Sequence, residues 1–309
     1  MKKLLILSGK DEVHAEAIAG KILNMGGEAF CFRVDLYPFE YFIRYENGLC
    51  SFGSGSKEFE LNSSWSIWNK RRVAPTFPDG FPIEFKKTVA YETEKTLDGL
   101  LLNHAGLVVN NPQSDFFAAN KPHQLEIAKK HGLQVPQTII TNNPASAAKF
   151  RKKVGDVVLK QQQMPIIENY TMHTTLIMRQ DELPTSNIQN CPIVLQELLD
   201  KKYELRIIVM GKSIMPFAIY TAGTAGTTDL KRGRYWEYKH EKVNIPHNLK
   251  HGITAMMQYY GLHYGAFDFV KTPQNKYYFL ELNPRGQFLW LEHMTGFDLT
   301  KKFTEYLTK

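Results

Sequence analysis

The chain has 309 residues, more than one compact core usually holds, so we expect two or three subdomains. Its net charge of +7 favours anionic partners such as nucleotides and acidic peptides. No apolar run is long enough to cross a bilayer or to form the apolar region of a signal peptide, which argues against a membrane protein and predicts a cytoplasmic location.

The first third of the chain has an α/β pattern. Leu4 to Leu7 is typical of a buried strand, Asp11 to Met25 repeats apolar residues at helical spacing, and Ala29 to Val34 is typical of a second strand. A strand, a helix and a strand in this order predict a parallel sheet. Arg44 to Glu60 carries the turn residues of hairpins. We predict an N-terminal α/β subdomain over residues 1–115.

The rest of the chain favours antiparallel pairing. Helical patterns at Ala118 to His131 and Ala145 to Lys152 are followed by short strands, one of which, Val157 to Leu159, leads into Lys160. Glu204 to Met210 alternates and is joined by a tight turn to a partner strand. We predict a central subdomain over residues 116–200 and a mostly antiparallel C-terminal subdomain over residues 201–309, within an α/β (α+β) fold.

Three oxygen-bearing side chains interrupt an apolar hairpin near the C-terminus. Asp268 lies within the strand Ala266 to Val270, and Glu281 and Asn283 are two residues apart on the partner strand, so they share one face. Cross-strand neighbours are close enough to hold one ion, and carboxylate and amide oxygens suit Mg²⁺. The pattern therefore predicts a magnesium site. The alternative is a strand end whose polar residues meet water.

Basic residues follow two predicted strands. Arg71 and Arg72 come after Ser66 to Trp68, and two arginines there are able to hold an anionic group in a bidentate way. Lys160 ends its own strand, where a lysine suits contact with a phosphate. In both places a solvated strand terminus is the alternative.

With these features in order, the chain resembles the ATP-grasp superfamily, and within it the ligases that make microviridins and related omega-ester or omega-amide peptides, the graspetides. The resemblance spans nearly the whole chain. It is carried by the order and spacing of nine stretches: Trp68–Arg72, Ala119–Leu125, Gly132–Thr138, Thr141–Pro144, Cys191–Pro192, Gln196–Glu197, Tyr203–Arg206, Tyr264–Asp268 and Glu281–Glu292.

The resemblance implies an ATP-grasp fold with the ATP cleft between the central and C-terminal subdomains. It implies ATP and Mg²⁺ as cofactors, with Asp268, Glu281 and Asn283 around the metal. Catalytic roles would fall to Arg206, Arg285 and Lys160. The cofactor-binding residues that it implies are Lys121, Lys160, Gln196, Glu197, Leu198, Leu199, Glu204 and Arg206.

The resemblance also implies the reaction and its partner. A side-chain carboxylate of a ribosomal precursor peptide would take the γ-phosphoryl group of ATP, and a Ser or Thr hydroxyl or a Lys amine of that peptide would then displace phosphate and close a ring. The partner would be a peptide with a leader and an acidic core, and the enzyme would be a homodimer. A leader would dock near Asp181 and Glu182, although a solvated acidic turn is the alternative there.

The sequence departs from the family pattern in three places. The phosphate-covering loop, Gln161 to Thr171, contains no glycine. An Asp-Trp-Arg motif is missing where Arg232 and Arg234 stand, and these two arginines are predicted substrate contacts together with Arg71 and Arg72. Arg285 stands where a smaller residue is usual, which suggests a contact with phosphate or with a substrate carboxylate.

Other functions are compatible with the same residues. A ligase that joins a free amino acid or amine to a carboxylate would need the same nucleotide and metal groups. A nucleotide-binding regulatory or scaffold protein would bind ATP without turnover. A nucleic-acid binder is disfavoured because no clustered basic stripe with interleaved aromatic residues is present.

Overall fold

The computed structural model describes residues 2–160, 175–178, 180–183, 185–221 and 235–308. The N-terminal part contains a parallel sheet with strand order β2-β1-β6-β7 and a separate antiparallel sheet, β3-β4-β5. Its elements, in chain order, are β1 (Lys3–Ser8), α1 (Val13–Asn24), β2 (Glu28–Arg33), β3 (Tyr41–Glu46), β4 (Leu49–Ser54), β5 (Lys57–Glu60), β6 (Trp65–Asn69), α2 (Ile83–Asn103) and β7 (Val108–Val109).

The predicted strand–helix–strand start and the predicted hairpin are both confirmed. Asn47 and Gly48 form the turn between β3 and β4 with positive φ angles of 49° and 87°, which the two residue types tolerate better than others. Apolar side chains of the parallel sheet and of the hairpin sheet share one core, with Phe32, Phe52 and Trp65 buried in it.

The middle of the chain forms an antiparallel sheet with strand order β10-β9-β11-β8. A small core of its own, with Ala147, Val157 and Leu195, lies beneath α5. The elements are α3 (Pro112–Ala118), α4 (Lys121–Lys130), β8 (Thr138–Thr141), α5 (Pro144–Val154), β9 (Val157–Lys160), β10 (Thr175–Ile177), α6 (Thr185–Asn190) and β11 (Ile193–Glu197).

The C-terminal part is an antiparallel sheet with strand order β14-β13-β12-β15-β16, as the fold-class prediction required. Its elements are β12 (Tyr203–Met210), β13 (Ser213–Tyr220), a 3-10 turn (Tyr235–Glu237), β14 (Lys239–Lys242), α7 (His247–Tyr260), β15 (Tyr264–Lys271), β16 (Tyr277–Asn283), α8 (Leu289–Thr295) and α9 (Leu299–Leu307). None of the helices in the described ranges combines the length and the apolar composition that a bilayer crossing requires.

Two cores cover the two faces of the C-terminal sheet. On one face, α4 and α7 pack against Leu205, Ile207 and Phe267, so α4 lies on this sheet although it falls within the predicted central subdomain. On the other face, Ile208 and Phe217 share a core with β1, α1 and β6 of the N-terminal part. The N-terminal and C-terminal sheets are therefore joined by buried apolar surface. The three predicted subdomain boundaries stay predictions.

Buried polar groups reinforce this junction. The Asn110 side chain donates from Nδ2 to the carbonyl oxygens of Tyr264 (2.9 Å) and Pro284 (2.8 Å), and its Oδ1 accepts from the Tyr264 backbone N–H (2.9 Å). His14, at the start of α1, accepts at Nε2 from the backbone N–H groups of Phe288 (3.0 Å) and Leu289 (3.2 Å). His14 Nδ1 lies 2.9 Å from Glu12 Oε1, so the proton belongs on Nδ1 and the ring is neutral.

We expect the free energy of unfolding to decrease as the pH falls below about 6.5, the ordinary pKa of histidine. Burial lowers the pKa of His14, and also that of His104, His240 and His263, in the folded protein. As the pH falls, these histidines become protonated in the unfolded chain before they do in the folded protein. Their contribution to the free energy of unfolding is therefore complete above pH 6.5 and decreases below it, by up to about 1.4 kcal/mol per pH unit for each such group.

Urea unfolding at pH 7.0 and 5.5 measures this effect. A His14→Gln variant should be less stable at pH 7.0 but should lose less stability between the two pH values than the wild type. The matched control is His247→Gln, at an exposed histidine. An unchanged pH dependence in His14→Gln would show that His14 does not contribute to it.

Candidate active site

The site is built on one row of side chains across three strands. Arg206 on β12 pairs in register with Asp268 on β15, and Asp268 pairs with Glu281 on β16. Arg206 Nη1 donates to both carboxylate oxygens of Asp268 at 2.8 Å. The prediction that Asp268 and Glu281 are cross-strand neighbours is confirmed.

Asn283 lies two residues further on the same face, opposite Ala266. Its Oδ1 accepts the backbone N–H of Arg285 at 3.0 Å, which fixes the turn after β16. Among the described residues no three His, Cys, Asp or Glu side chains come together as a metal site. The predicted set has two carboxylates and one amide, and Mg²⁺ commonly takes one or two carboxylates and completes its shell with water and substrate phosphates. The donor set therefore fits Mg²⁺.

Two lysines from the middle of the chain reach this row. Lys121, the first residue of α4, lies with Nζ 3.2 Å from Glu281 Oε2. Lys160, the last residue of β9, donates from Nζ to Gln196 Oε1 at 2.8 Å. Burial lowers the pKa of Lys160, Glu281 acts against that shift, and the charge of Lys121 adds to it. Three groups predicted to bind phosphate and metal are thus within electrostatic reach of one another.

Glu197, the last residue of β11, and Leu198, which follows it, already form hydrogen bonds within the protein. Glu197 accepts at Oε1 from the Gln137 backbone N–H (2.8 Å) and at Oε2 from Gln137 Nε2 (3.1 Å). The backbone N–H groups of Glu197 and Leu198 donate to the carbonyl oxygens of Gln137 and Asp156, both at 3.0 Å. Neither of these two N–H groups is then available to an adenine ring. Leu199, the third predicted contact in this segment, follows directly.

Glu204, one of the cofactor-binding residues that the resemblance implies, is buried and shares a face with Arg206. Lys201 donates to its Oε1 at 2.5 Å. Burial raises the pKa of the Glu204 carboxyl, and Lys201 and the more distant Lys160 lower it. The ion pair of Glu204 with Lys201 thus lies at the start of β12, two residues before Arg206.

A close approach of the backbone holds Arg206 in place. A Cβ atom at Gly286 would lie 2.6 Å from Arg206 Nη2 and 2.4 Å from the Cβ of Ala266, so only glycine fits between them. Arg206 Nη2 donates to the Gln287 carbonyl at 3.3 Å, whereas its buried Nε has no hydrogen-bond partner within the described part of the chain. The two Nη groups thus hold Arg206 against Asp268 and the turn after β16.

The predicted substrate arginines separate in the structure. Arg72 is nearly buried and donates to Asn69 Oδ1 (2.9 Å) and Asp98 Oδ1 (2.7 Å). The alternative interpretation, that Arg72 is part of a solvated strand terminus, is therefore wrong. Arg285 donates from Nε to the buried Asp115 at 2.7 Å. Arg71 is half exposed at the surface. Arg72 is thus paired with Asp98, and Arg285 is paired with Asp115 while 30% of its side chain stays exposed.

Other predicted contacts lie apart from this row or outside the described residues. Asp181 accepts the Met178 backbone N–H at 2.7 Å in an exposed turn next to Glu182, on the middle part of the chain. Arg232, Arg234 and the loop from Gln161 to Thr171 lie outside the described residues.

Sequence reasoning missed three buried groups, of which Lys70 lies within electrostatic range of Arg206. Lys70, Glu12 and His14 are all buried at the junction of the N-terminal and C-terminal sheets. Lys70 stands directly before Arg71, at a strand end that the sequence did single out. No sequence signal pairs residues 12 and 70, which meet because β1 and β6 are neighbours in the sheet.

The middle and C-terminal parts of the chain, residues 118–307, match the model of the RimK-like ATP-grasp domain, and this match covers more than half of the chain. The chain belongs to the RimK-like ATP-grasp family. Residues 2–115 match the MvdD pre-ATP grasp domain. The predicted ATP-grasp fold is thereby confirmed. No curated protein matches the chain in sequence at a significant level.

Solved structures with this ATP-grasp fold align with nearly the whole chain. The RiPP-associated ATP-grasp ligase of Chryseobacterium gregarium, in complex with ADP and a leader and core peptide, is 27% identical with a TM-score of 0.89, over 99% of this chain and 96% of that one. Macrocyclase MdnC of Microcystis aeruginosa, bound with its precursor peptide MdnA, is 27% identical with a TM-score of 0.86, over 99% of both chains. Macrocyclase MdnB of the same organism, at 22% identity and a TM-score of 0.82 over 99% of both chains, shares the fold.

Proposed function

We propose that this ATP-grasp ligase is an ATP-dependent peptide macrocyclase that joins side-chain carboxylates of a ribosomal precursor peptide to hydroxyl or amine groups of the same peptide. The observation that supports this most is the match, over 99% of the chain, to two ligases whose structures hold precursor or leader and core peptides. The row of Arg206, Asp268 and Glu281 beside two lysines provides the charges that phosphoryl transfer from ATP needs.

In the first step, an oxygen of the peptide carboxylate attacks the γ-phosphorus of ATP, and the bond to the bridging oxygen breaks to release ADP. Lys121 and Lys160 hold the phosphates as fixed point charges. Arg206, desolvated and oriented by Asp268, faces the charge that develops on the transferring phosphoryl oxygens. Asp268, Glu281 and Asn283 would hold Mg²⁺, which when bound neutralises β- and γ-phosphate charge.

In the second step, a hydroxyl or amine of the same peptide attacks the acyl carbon, phosphate leaves, and the attacking group loses its proton. The protein contributes mainly position here, because an ordered hydroxyl next to an acyl phosphate reacts as if it were at very high concentration. Exclusion of water matters equally, since water would return the acyl phosphate to the free acid.

The nucleotide contacts follow from the segment after β11. Because the N–H groups of Glu197 and Leu198 are already used, we place the donor to the adenine edge at the N–H of Leu199. Gln196 holds Lys160 and Thr138 and so acts on the nucleotide through Lys160. Glu204 would take the ribose hydroxyls, for which it must exchange part of its contact with Lys201.

Four finer points of the proposal concern partners and location. Asp181 and Glu182 remain our proposed leader contacts, and Arg232 and Arg234 our proposed core contacts. We also propose a homodimer and a cytoplasmic location. The net charge of +7 is in keeping with an acidic core peptide.

Intact-mass spectrometry tests the function. The protein is incubated with ATP, Mg²⁺ and a precursor peptide with a leader and an acidic core, and each ring removes one water from the peptide mass. Methanolysis then separates esters from amides. A gain in mass by an added amine would identify the intermolecular ligase instead, and tight ATP binding without ADP release would identify a binding protein.

A further inference from the structure

The N-terminal parallel sheet has a point at which its connections change direction. In the order β2-β1-β6-β7, the chain leaves β1 through α1 toward β2, whereas it leaves β6 through α2 toward β7. The two connections diverge, so a crevice is expected beyond the carboxyl ends of β1 and β6. In open α/β sheets this is the place where ligands bind.

A buried lysine stands in this crevice. Lys70 is the first residue after β6 and has 4% of its surface exposed. Its Nζ donates to the carbonyl of Arg285 at 3.3 Å, and the next residue, Gly286, is in close contact with Arg206. The crevice of the N-terminal sheet therefore adjoins the row of Arg206 on the C-terminal sheet.

Glu12, after β1, is the acidic group of the crevice. His14 Nδ1 lies 2.9 Å from its Oε1, and the neutral ring of His14 is fixed in turn by the N-terminal N–H groups of α8. Arg71 Nη1 lies 3.9 Å from Glu12 Oε2 at the surface. Glu12 is thus held by His14 and lies within electrostatic range of the Lys70 ammonium.

The charges around Lys70 are unbalanced. Burial lowers the pKa of Lys70 to about 8, Glu12 acts against this shift, and Arg206, Arg71 and Arg285 add to it. Arg206 and Arg285 have carboxylate partners of their own in Asp268 and Asp115. One shared carboxylate, that of Glu12, then faces Lys70 and Arg71 together, so an incoming anion would be stabilised here.

We propose that the crevice between β1 and β6 is the subsite for the peptide carboxylate that becomes phosphorylated, with Lys70 as its contact, Arg71 at its rim, and Glu12 and His14 as positioning residues. This inference rests on the proposed function. It assigns substrate recognition to the carboxyl ends of the N-terminal strands and gives Arg72, which is committed to Asp98, no part in it.

A binding experiment that needs no ring closure tests the subsite. The probes are a synthetic peptide with acetylated and amidated ends that contains Thr, Asp and Glu, and its counterpart with Asn and Gln. Each is titrated in the presence of ADP and Mg²⁺ by saturation-transfer NMR. We expect the wild type to bind the acidic peptide at least tenfold more tightly than the amide peptide, and Lys70→Gln to bind both alike.

The matched control is Lys57→Gln, on the exposed hairpin sheet, which should keep the wild-type preference. ADP affinity and thermal unfolding are measured for every variant. Arg71→Gln changes a half-exposed side chain, so it keeps the test decisive if Lys70→Gln does not fold. It should lose about threefold in affinity for the acidic peptide alone.

Equal losses for both peptides would mean that Lys70 only supports the fold, and an undiminished preference in Lys70→Gln would place the carboxylate elsewhere. Either result overturns the subsite. A third outcome is a Lys70-dependent preference for the acidic peptide together with ADP release that forms no rings. That result would support the carboxylate subsite and contradict the proposed macrocyclase function.

Discussion

Arg206→Gln is expected to lower kcat for peptide-dependent ADP release about 10³-fold, a size typical of losing one preorganised group that stabilises transition-state charge. The guanidinium is nearly buried and is fixed by Asp268 and by the Gln287 carbonyl. Because the negative charge grows during transfer, the effect should fall on kcat more than on KM for ATP. Steady-state kinetics with coupled detection of ADP measures both.

The control for Arg206→Gln is Arg44→Gln, an exposed arginine on the hairpin sheet. Arg206→Lys keeps a charge but lacks the planar fork, so its kcat should lie between those of the wild type and Arg206→Gln. ADP binding and thermal unfolding show whether each variant is folded. A large rise in KM for ATP with unchanged kcat would contradict the role and make Arg206 a ground-state contact.

The double variant Glu281→Gln with Asn283→Ala is expected to reduce ADP release by a similar factor, about 10³-fold, because two of three predicted magnesium ligands change. The Mg²⁺ concentration for half-maximal rate should rise more than tenfold. Asn283→Ala alone should have the smaller effect, since both carboxylates remain. ADP release measured over a Mg²⁺ titration separates a loss of metal affinity from a loss of rate at saturating metal.

Glu305→Gln, on the exposed side of α9, is the matched control for this pair. Loss of Asn283 Oδ1 also frees the Arg285 backbone N–H, so thermal unfolding is compared in parallel. Undiminished ADP release at the same Mg²⁺ requirement would show that the metal lies elsewhere.

Local patterns predicted much of the site. The sequence placed Asp268 and Glu281 on neighbouring strands of a short hairpin, but their direct pairing depends on a β-bulge between Asp268 and Phe269, which shifts the register by one residue and which spacing from the turn does not predict. Helices and strands with strong apolar periodicity were also predicted, because their pattern depends only on residues close together in the sequence. The stretch Glu281–Glu292 was recognised as part of the resemblance, but the helix that begins in it, α8, was missed because it is only seven residues long and too short to show a period.

Contacts between distant parts of the chain could not be predicted in this way. Arg285 was predicted to bind substrate, yet it pairs with Asp115, 170 residues away. Arg72 pairs with Asp98, which lies within α2, 26 residues further along the chain. The role of a buried arginine depends on which carboxylate the fold places next to it. Sequence periodicity does not indicate which residues from distant parts of the chain become neighbours.

The buried junction between the N-terminal and C-terminal sheets has a consequence for the order of events. The N-terminal and C-terminal sheets, which would hold the core of the peptide, are fixed to one another by Asn110, His14 and a common apolar core. The middle sheet has a separate core and reaches the site through Lys160. On the proposed function, an exchange of ADP for ATP would displace the middle sheet, and with it the proposed leader contacts Asp181 and Glu182, while the two joined sheets would keep their hold on the core.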